Sequence, residues 1–330
     1  MLPTGTGCPI GYRIAYRIDM APNSSPLAAP ATTPSTGWAV VRAVRLHQWV
    51  KNGLVFLPML MGHRLMDASV WLDASFAFLA LSLCASGTYV LNDLLDREAD
   101  RLHPTKRHRP FASGALAPEV GYVLAPTLVA AGFALAVWQL PATFAAVLGL
   151  YLLTTVAYSY ALKRLPIVDV LVLAGLYALR VFAGGAATGI PISQWLLSFS
   201  LFFFLALALV KRYAELRLLE TNVEARANKR GYQVEDLGML RNFGTTSAYL
   251  AVLVLALYLT SPEVTMLYRT PALLWLLSPL LIYWQMRIWL LAHRGDMDDD
   301  PILFTVKDPA SYLVFGAAAA LVAIAAILQV

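Results

Sequence analysis

The segment Asn92-Asp93-Leu94-Leu95-Asp96-Arg97-Glu98-Ala99-Asp100, which closes an apolar run, could grip a divalent cation. On a helix, at about 100° per residue, Asn92, Asp93, Asp96 and Asp100 fall within a sector of about 100°. One face then presents three carboxylates and an amide. Like charges this close shift one another's pKa unless a cation lies between them. Mg²⁺ takes oxygen ligands, commonly one or two carboxylates completed by substrate phosphates. The competing reading is a solvated acidic helix end, but acids oppose the dipole at a helix C-terminus and need a reason to be there. On the metal reading Asp93, Asp96 and Asp100 are the catalytic acids, and Asn92 is the fourth ligand.

Cations follow at once: Arg101, and then Lys106, Arg107 and Arg109 between Pro104 and Pro110. A diphosphate needs both metal and cationic donors around its oxygens. Farther on, Lys211-Arg212-Tyr213-Ala214-Glu215 offers two cations and one carboxylate. It reads either as an i,i+4 pair, Lys211–Glu215, worth about 0.2–0.5 kcal/mol, or as a second anion site. Arg180 lies in mid-run among apolar residues, where a charge is costly and faces a partner or a polar cavity. Asp169, eleven residues earlier, and Tyr177, one turn earlier, lie near the same helix face. An ion pair with another helix would satisfy Arg180, as would a substrate phosphate in a cavity. His47, His63, His103, His108 and His293 show no metal-ligand spacing, and no Ser-His-Asp or Cys-His arrangement is evident.

The elements that must position these groups are membrane helices. Of 330 residues 59% are hydrophobic and only 14% charged, and the mean hydropathy is +0.63. Soluble domains carry roughly 25% charged residues, so the apolar surplus faces lipid. Spans of about 20 apolar residues are expected at Val41–Gly62, Val70–Leu95, Val120–Gln139, Pro141–Leu162, Val168–Gly189, Gln194–Val210, Thr245–Ser261, Ala272–Ala292 and Ser311–Leu328. The first is the weakest, because Arg42, Arg45, His47 and Lys51 crowd its start. Lys and Arg gather after the second, fourth, sixth and eighth spans, whereas the other loops hold only Arg64 and Arg269. The positive-inside rule then places the N-terminus and the basic loops in the cytoplasm. The basic residues form no single stripe, so nucleic acid is not an expected partner. Residues 1–37 read as a disordered leader, with Met20 as an alternative start, and 38–330 as one transmembrane domain. Cys8 and Cys84 lie far apart in different contexts, which argues against a disulfide.

With Asn92-Asp93-x-x-Asp96-x-x-x-Asp100, nine expected spans and the basic loop, residues 41–330 resemble the UbiA superfamily of intramembrane prenyltransferases. The resemblance implies an all-α nine-helix bundle with a polar cavity facing the cytoplasm, in which Asp-rich motifs hold a prenyl diphosphate through Mg²⁺. Where the superfamily usually carries a second acidic motif, this chain has Lys211-Arg212-Tyr213-Ala214-Glu215. That departure resembles the decaprenyl-phosphate phosphoribosyltransferase branch. So do Gln48-Trp49-Val50-Lys51-Asn52, His103-Pro104-Thr105-Lys106-Arg107-His108-Arg109-Pro110 and Asp299-Asp300-Pro301-Ile302-Leu303-Phe304.

This branch implies transfer of a phosphoribosyl group from phosphoribosyl pyrophosphate (PRPP) to a polyprenyl phosphate at the cell's inner membrane, for cell wall biosynthesis, in a chain that is free to be a homo-oligomer. Three anionic groups then share one pocket, which accounts for the surplus cations. The acceptor phosphate is already an anionic nucleophile, so no catalytic base is required. Lys51, Asn52, Asn92, Lys106, Arg107, Arg109, Tyr177, Arg180, Lys211, Arg212 and Glu215 are the expected substrate contacts. The run Asp296, Asp298, Asp299, Asp300 reads as a solvated loop, or as a holder of ribose hydroxyls or a second Mg²⁺. An aromatic prenyltransferase is the alternative, for which the second acidic motif is missing. A transporter of anionic solutes would predict inverted repeats, and none is evident.

Overall fold

Long uncharged runs leave the backbone no partner but itself in a bilayer, so each closes into a helix. A computed structural model describes residues 36–102, 106–221, 231–297 and 300–327, all helices and turns. The helices are α1 (Thr36–Val44), α2 (Leu57–Met61), α3 (Ala68–Leu95), α4 (Arg97–Arg101), α5 (Pro118–Gln139), α6 (Ala142–Tyr160), α7 (Val168–Thr188), α8 (Gln194–Thr221), α9 (Leu237–Leu259), α10 (Pro262–Leu267), α11 (Leu277–Arg294), α12 (Pro301–Thr305) and α13 (Pro309–Ile327). Apart from Thr36 and Gly37, which open α1, the expected leader lies outside the described residues.

Eight helices among the described residues are long and apolar enough to cross a membrane. The first expected span, Val41–Gly62, is not among them and is not one continuous α-helix. Arg45 adopts a left-handed backbone (φ 56°), and Leu46–Phe56 form an eleven-residue 3₁₀ stretch before α2. Runs beyond three or four residues of 3₁₀ are uncommon and mark strain or a functional hinge. This stretch lies antiparallel along α3. Arg45 meets Asp93, Trp49 Nε1 donates to Ser86 Oγ (2.9 Å), Asn52 Nδ2 to Ser82 Oγ (3.0 Å), and Phe56 packs on Phe78 and Trp71. At about 2 Å per residue it reaches farther than an α-helix of equal length, and its polar side chains hang from α3 like rungs.

Other boundaries move for local reasons. The helix expected to stop at Val210 continues to Thr221, which puts Lys211, Arg212 and Glu215 on its last turns. The span expected from Thr245 begins at Leu237, and the one expected from Ala272 opens as 3₁₀ over Pro271–Leu276.

Small residues let the helices approach closely, as is usual in membranes. A Cβ on Gly132 of α5 would stand 2.7 Å from the Ala80 carbonyl oxygen of α3. A Cβ on Gly184 of α7 would run into the Val55 carbonyl, which is backbone of the 3₁₀ stretch. Gly184→Ala is therefore expected to push that stretch off α7 and destabilise the fold by about 1–3 kcal/mol. A drop in the detergent unfolding midpoint checks this; an unchanged midpoint would mean the segment yields without cost.

Candidate active site

Where α3 ends, the chain bends at Asp96 into α4, while Arg45 from before the 3₁₀ stretch and Arg109 from the basic loop both reach in. Asp93 is 2% exposed. Its Oδ1 accepts from Arg45 Nη2 (2.5 Å) and Arg109 Nη1 (3.1 Å), and its buried Oδ2 has no partner among the described residues. Arg109 Nη1 also donates to Asp100 Oδ2 (2.6 Å). On the other side Lys163 Nζ donates to Asp96 Oδ2 (3.0 Å) and approaches Asn92 Oδ1 (3.4 Å).

The four expected ligands thus divide into two pairs, each bridged by a cation, rather than forming one shell. No three His, Cys, Asp or Glu among the described residues are grouped as for a metal ion. The helical spacing placed the carboxylates on one sector, and the folded-back cations then separated them. Burial pushes the Asp100 carboxyl above its usual range, and Arg109 pulls it back only in part. The donor set still suits a hard divalent cation. It is all oxygen, it carries negative charge, and one carboxylate oxygen is buried without a partner.

A second polar group lies deeper. Lys51 Nζ (2.5 Å) and Lys211 Nζ (3.3 Å) both meet Asp300 Oδ2. Beside Lys51, Asn52 Oδ1 accepts from Arg180 Nε (2.9 Å). The guanidinium is completed by the Leu176 carbonyl (2.7 Å) and Tyr151 Oη (3.0 Å), with the rings of Tyr151 and Tyr177 about it at 5.0 and 5.2 Å. Five expected contacts, Lys51, Asn52, Tyr177, Arg180 and Lys211, are therefore brought into one neighbourhood. Arg180 is 5% exposed and has no carboxylate within ion-pair distance among the described residues. Among the described residues, Lys51 and Lys211 share the carboxylate of Asp300, while Arg180 meets only neutral acceptors. Burial pushes that carboxyl up, but Lys211 and Lys51 outweigh it and hold it well below the usual range.

Asp300 belongs to the run that the sequence reads as a solvated loop or as a holder of ribose hydroxyls or a second Mg²⁺. It is instead the N-cap of α12, with Oδ1 accepting from Ile302 N and Leu303 N and Pro301 at the first helical position. The Asp-Pro step carried that signal in the sequence. Asp298 and Asp299, like His103, Pro104 and Thr105, lie outside the described residues.

Two expected substrate contacts stand elsewhere. Arg212 is fully buried, with Nη2 2.8 Å from Asp169 Oδ2 and Nη1 bonded to Glu215. The Asp169 contact is Coulombic, because neither atom is aligned for a hydrogen bond. Tyr232 Oη donates to Asp169 Oδ1 (2.6 Å) and accepts from Ile167 N (2.7 Å). Arg212 therefore ties α8 to α7 through Asp169, and Glu215, on the same helix as Arg212, pairs with it and not with Lys211. Asp169 is accordingly not the partner of Arg180. Arg107 Nε donates to His108 Nε2 (3.3 Å). Lys106 and Arg109 line an open cleft of about 430 Å³ with Arg42, Arg45, His47 and His108. A larger groove, about 520 Å³ between α11 and α13, is lined by Leu276, Leu280, Leu321 and neighbours and holds no reactive group. Arg45, Lys163 and Tyr151 are the residues beside these groups that spacing did not reveal.

A model of the UbiA prenyltransferase family matches residues 55–312. The chain is 39% identical over 272 residues to the protein y4nM of Sinorhizobium fredii, which covers 82% of this chain and 52% of that protein. It thus spans about half the length of that relative. It is 36% identical over 287 residues to nodulation protein NoeC of Azorhizobium caulinodans, with 85% and 91% covered. To decaprenyl-phosphate phosphoribosyltransferase of Mycobacterium tuberculosis it is 40% identical over 216 residues, with 64% and 71% covered. The fold is similar to that of a UbiA homolog from Archaeoglobus fulgidus solved with GPP and Mg²⁺. There the TM-score is 0.62 at 16% identity, with 86% of this chain and 99% of that one covered.

Proposed function

This chain belongs to the UbiA prenyltransferase family, and from that premise we propose that it transfers a 5-phosphoribosyl group from PRPP to a polyprenyl phosphate, with Mg²⁺, and releases pyrophosphate. One observation carries the reading: two poles, each suited to a different phosphate. The acids at the end of α3 suit a metal-bound diphosphate. The deeper group of Lys51, Lys211 and Arg180 holds, among the described residues, more positive than negative charge and suits an anion with no metal of its own. The phosphoribosyltransferase relatives support the same reading by name.

Asn92, Asp93, Asp96 and Asp100 would hold Mg²⁺, which when bound offsets the charge building on the leaving diphosphate. Arg109 and Arg45 flank that position and supply fixed positive charge where the diphosphate departs. Lys51, Lys211 and Arg180 bind the lipid phosphate, and Asp300 holds the two lysines apart from each other's repulsion. An oxygen of the lipid phosphate attacks the anomeric carbon as the bond to the diphosphate oxygen breaks on the opposite face. The diphosphate keeps the electron pair. No proton has to move, which suits a site without a catalytic base. On this reading the acid pole and the N-terminus face the cytoplasm, and the polyprenyl tail stays among the helices.

Purified protein incubated with labelled PRPP, Mg²⁺ and polyprenyl phosphate should release pyrophosphate only when the lipid phosphate is present. Turnover of a prenyl diphosphate with a phenolic acid, and none of PRPP, would overturn the reading. Arg180→Leu should raise the apparent KM for the lipid phosphate about 10- to 100-fold, the worth of a charged hydrogen bond. Unchanged kinetics in a folded variant would remove Arg180 from the acceptor site.

A further inference from the structure

The open cleft beside the acid pole is built from two distant segments. Arg42, Arg45 and His47 come from the N-terminal side, and Lys106, His108 and Arg109 from the basic loop. Arg42 Nη2 donates to the His108 carbonyl (2.9 Å) and ties one wall to the other. Among the described residues Pro110 completes the lining, and none of these seven carries a carboxylate. Its volume, about 430 Å³, is that of a small-molecule site. Arg45 holds its place in a left-handed backbone conformation, a strain that surrounding contacts must sustain. Its guanidinium binds Asp93 and lies 5.4 Å from the Tyr89 ring centroid.

Arg45 and Arg109 belong to both places. Each grips a carboxylate of the acid pole while lining the cleft. A ligand whose diphosphate sits at Asp93 and Asp100 would therefore extend its other end into a wall of arginine, lysine and imidazole. A prenyl chain has nothing to offer such a wall. A phosphomonoester does, through charge-assisted hydrogen bonds to its oxygens. We propose that this cleft is a phosphomonoester site that receives the 5-phosphate of the phosphoribosyl donor, and that Arg42, His47 and His108 thereby select this donor over prenyl diphosphates. The inference rests on the function proposed above and adds the site that reads the far end of the donor. An anionic lipid headgroup has the same chemistry, so the test separates the two sources.

Full-length protein is reconstituted in nanodiscs of phosphatidylcholine alone, or with phosphatidylglycerol. Pyrophosphate release is measured with PRPP and with ribose 1-diphosphate, which lacks the 5-phosphate, for the native chain and for Arg42→Ala and His47→Ala. Each variant should raise KM for PRPP about ten-fold or more and leave KM for ribose 1-diphosphate unchanged, in both lipids. Equal losses with both donors would show a merely structural role and overturn the proposal, and so would no loss with either. Binding of ribose 5-phosphate by calorimetry needs no turnover, so it separates this inference from the wider reading. Binding to the native chain that is lost in Arg42→Ala supports the cleft even if PRPP is not turned over. Absence of that binding in both lipids overturns it. An Arg42→Ala effect seen only with phosphatidylglycerol, and not relieved by ribose 5-phosphate, assigns the cleft to lipid and overturns it too.

Discussion

Asp93→Asn is expected to abolish pyrophosphate release from PRPP, lowering kcat by about 10³-fold or more while the protein still folds. Asp93 is the most constrained of the four motif residues: it is 2% exposed, and two arginines fix one of its oxygens. That leaves Oδ2 as a buried, pre-aimed acceptor with nothing to accept from. The amide preserves shape and volume but replaces an acceptor with a donor wherever its nitrogen lands. It also leaves Arg45 and Arg109 without the charge between them. Loss of one preorganised electrostatic contact of this kind costs about 10²–10³ in rate, and here ligand and arginine geometry would fail together. Asp96 is more exposed and, among the described residues, its carboxylate meets Lys163 alone, so Asp96→Asn alone should cost less. The measurement is release of labelled pyrophosphate across a Mg²⁺ titration, beside an unfolding midpoint for each variant. Turnover that survives in the Asp93→Asn/Asp96→Asn double variant, or that ignores removal of magnesium by a chelator, would refute the metal-site reading.

The second large effect is on stability. Asp169→Ala leaves Arg212, fully buried between α7 and α8, with Glu215 as its remaining carboxylate and takes the acceptor from Tyr232. Breaking a buried ion pair from one side costs about 3–5 kcal/mol. For a chain of this size that should lower the unfolding midpoint by roughly 5–15 °C. Replacing both partners with apolar residues, Asp169→Leu with Arg212→Met, should recover most of the loss, because the desolvation cost of both charges disappears as well. Since Arg212 lines neither the acid pole nor the cleft, the double variant should keep the native KM for PRPP. A shifted KM in a stable double variant would return Arg212 to the substrate site, and an unmoved midpoint in Asp169→Ala would dissolve the latch.

The amino-acid sequence by itself determined the class of the molecule, because the signals involved are local. Runs of about 20 apolar residues can do little else than form membrane helices, and a carboxylate at every third or fourth position declares itself wherever the helix goes. The Asn92–Asp100 motif, the surplus of cations and the family were all legible on those terms. The tertiary structure alone decided which charge meets which. Helical spacing gives the direction of a side chain from its own axis, not the identity of what approaches from another. Lys51 and Asp300 are 249 positions apart, and no period in the chain links them. Asp169 and Arg180 share a helix face, yet each found its partners on other elements, because a charge in a low-dielectric interior takes the nearest good donor or acceptor, not the nearest in sequence. The same competition turned one expected metal shell into two cation-bridged pairs, and made the first span a 3₁₀ strap whose polar side chains are spoken for by α3.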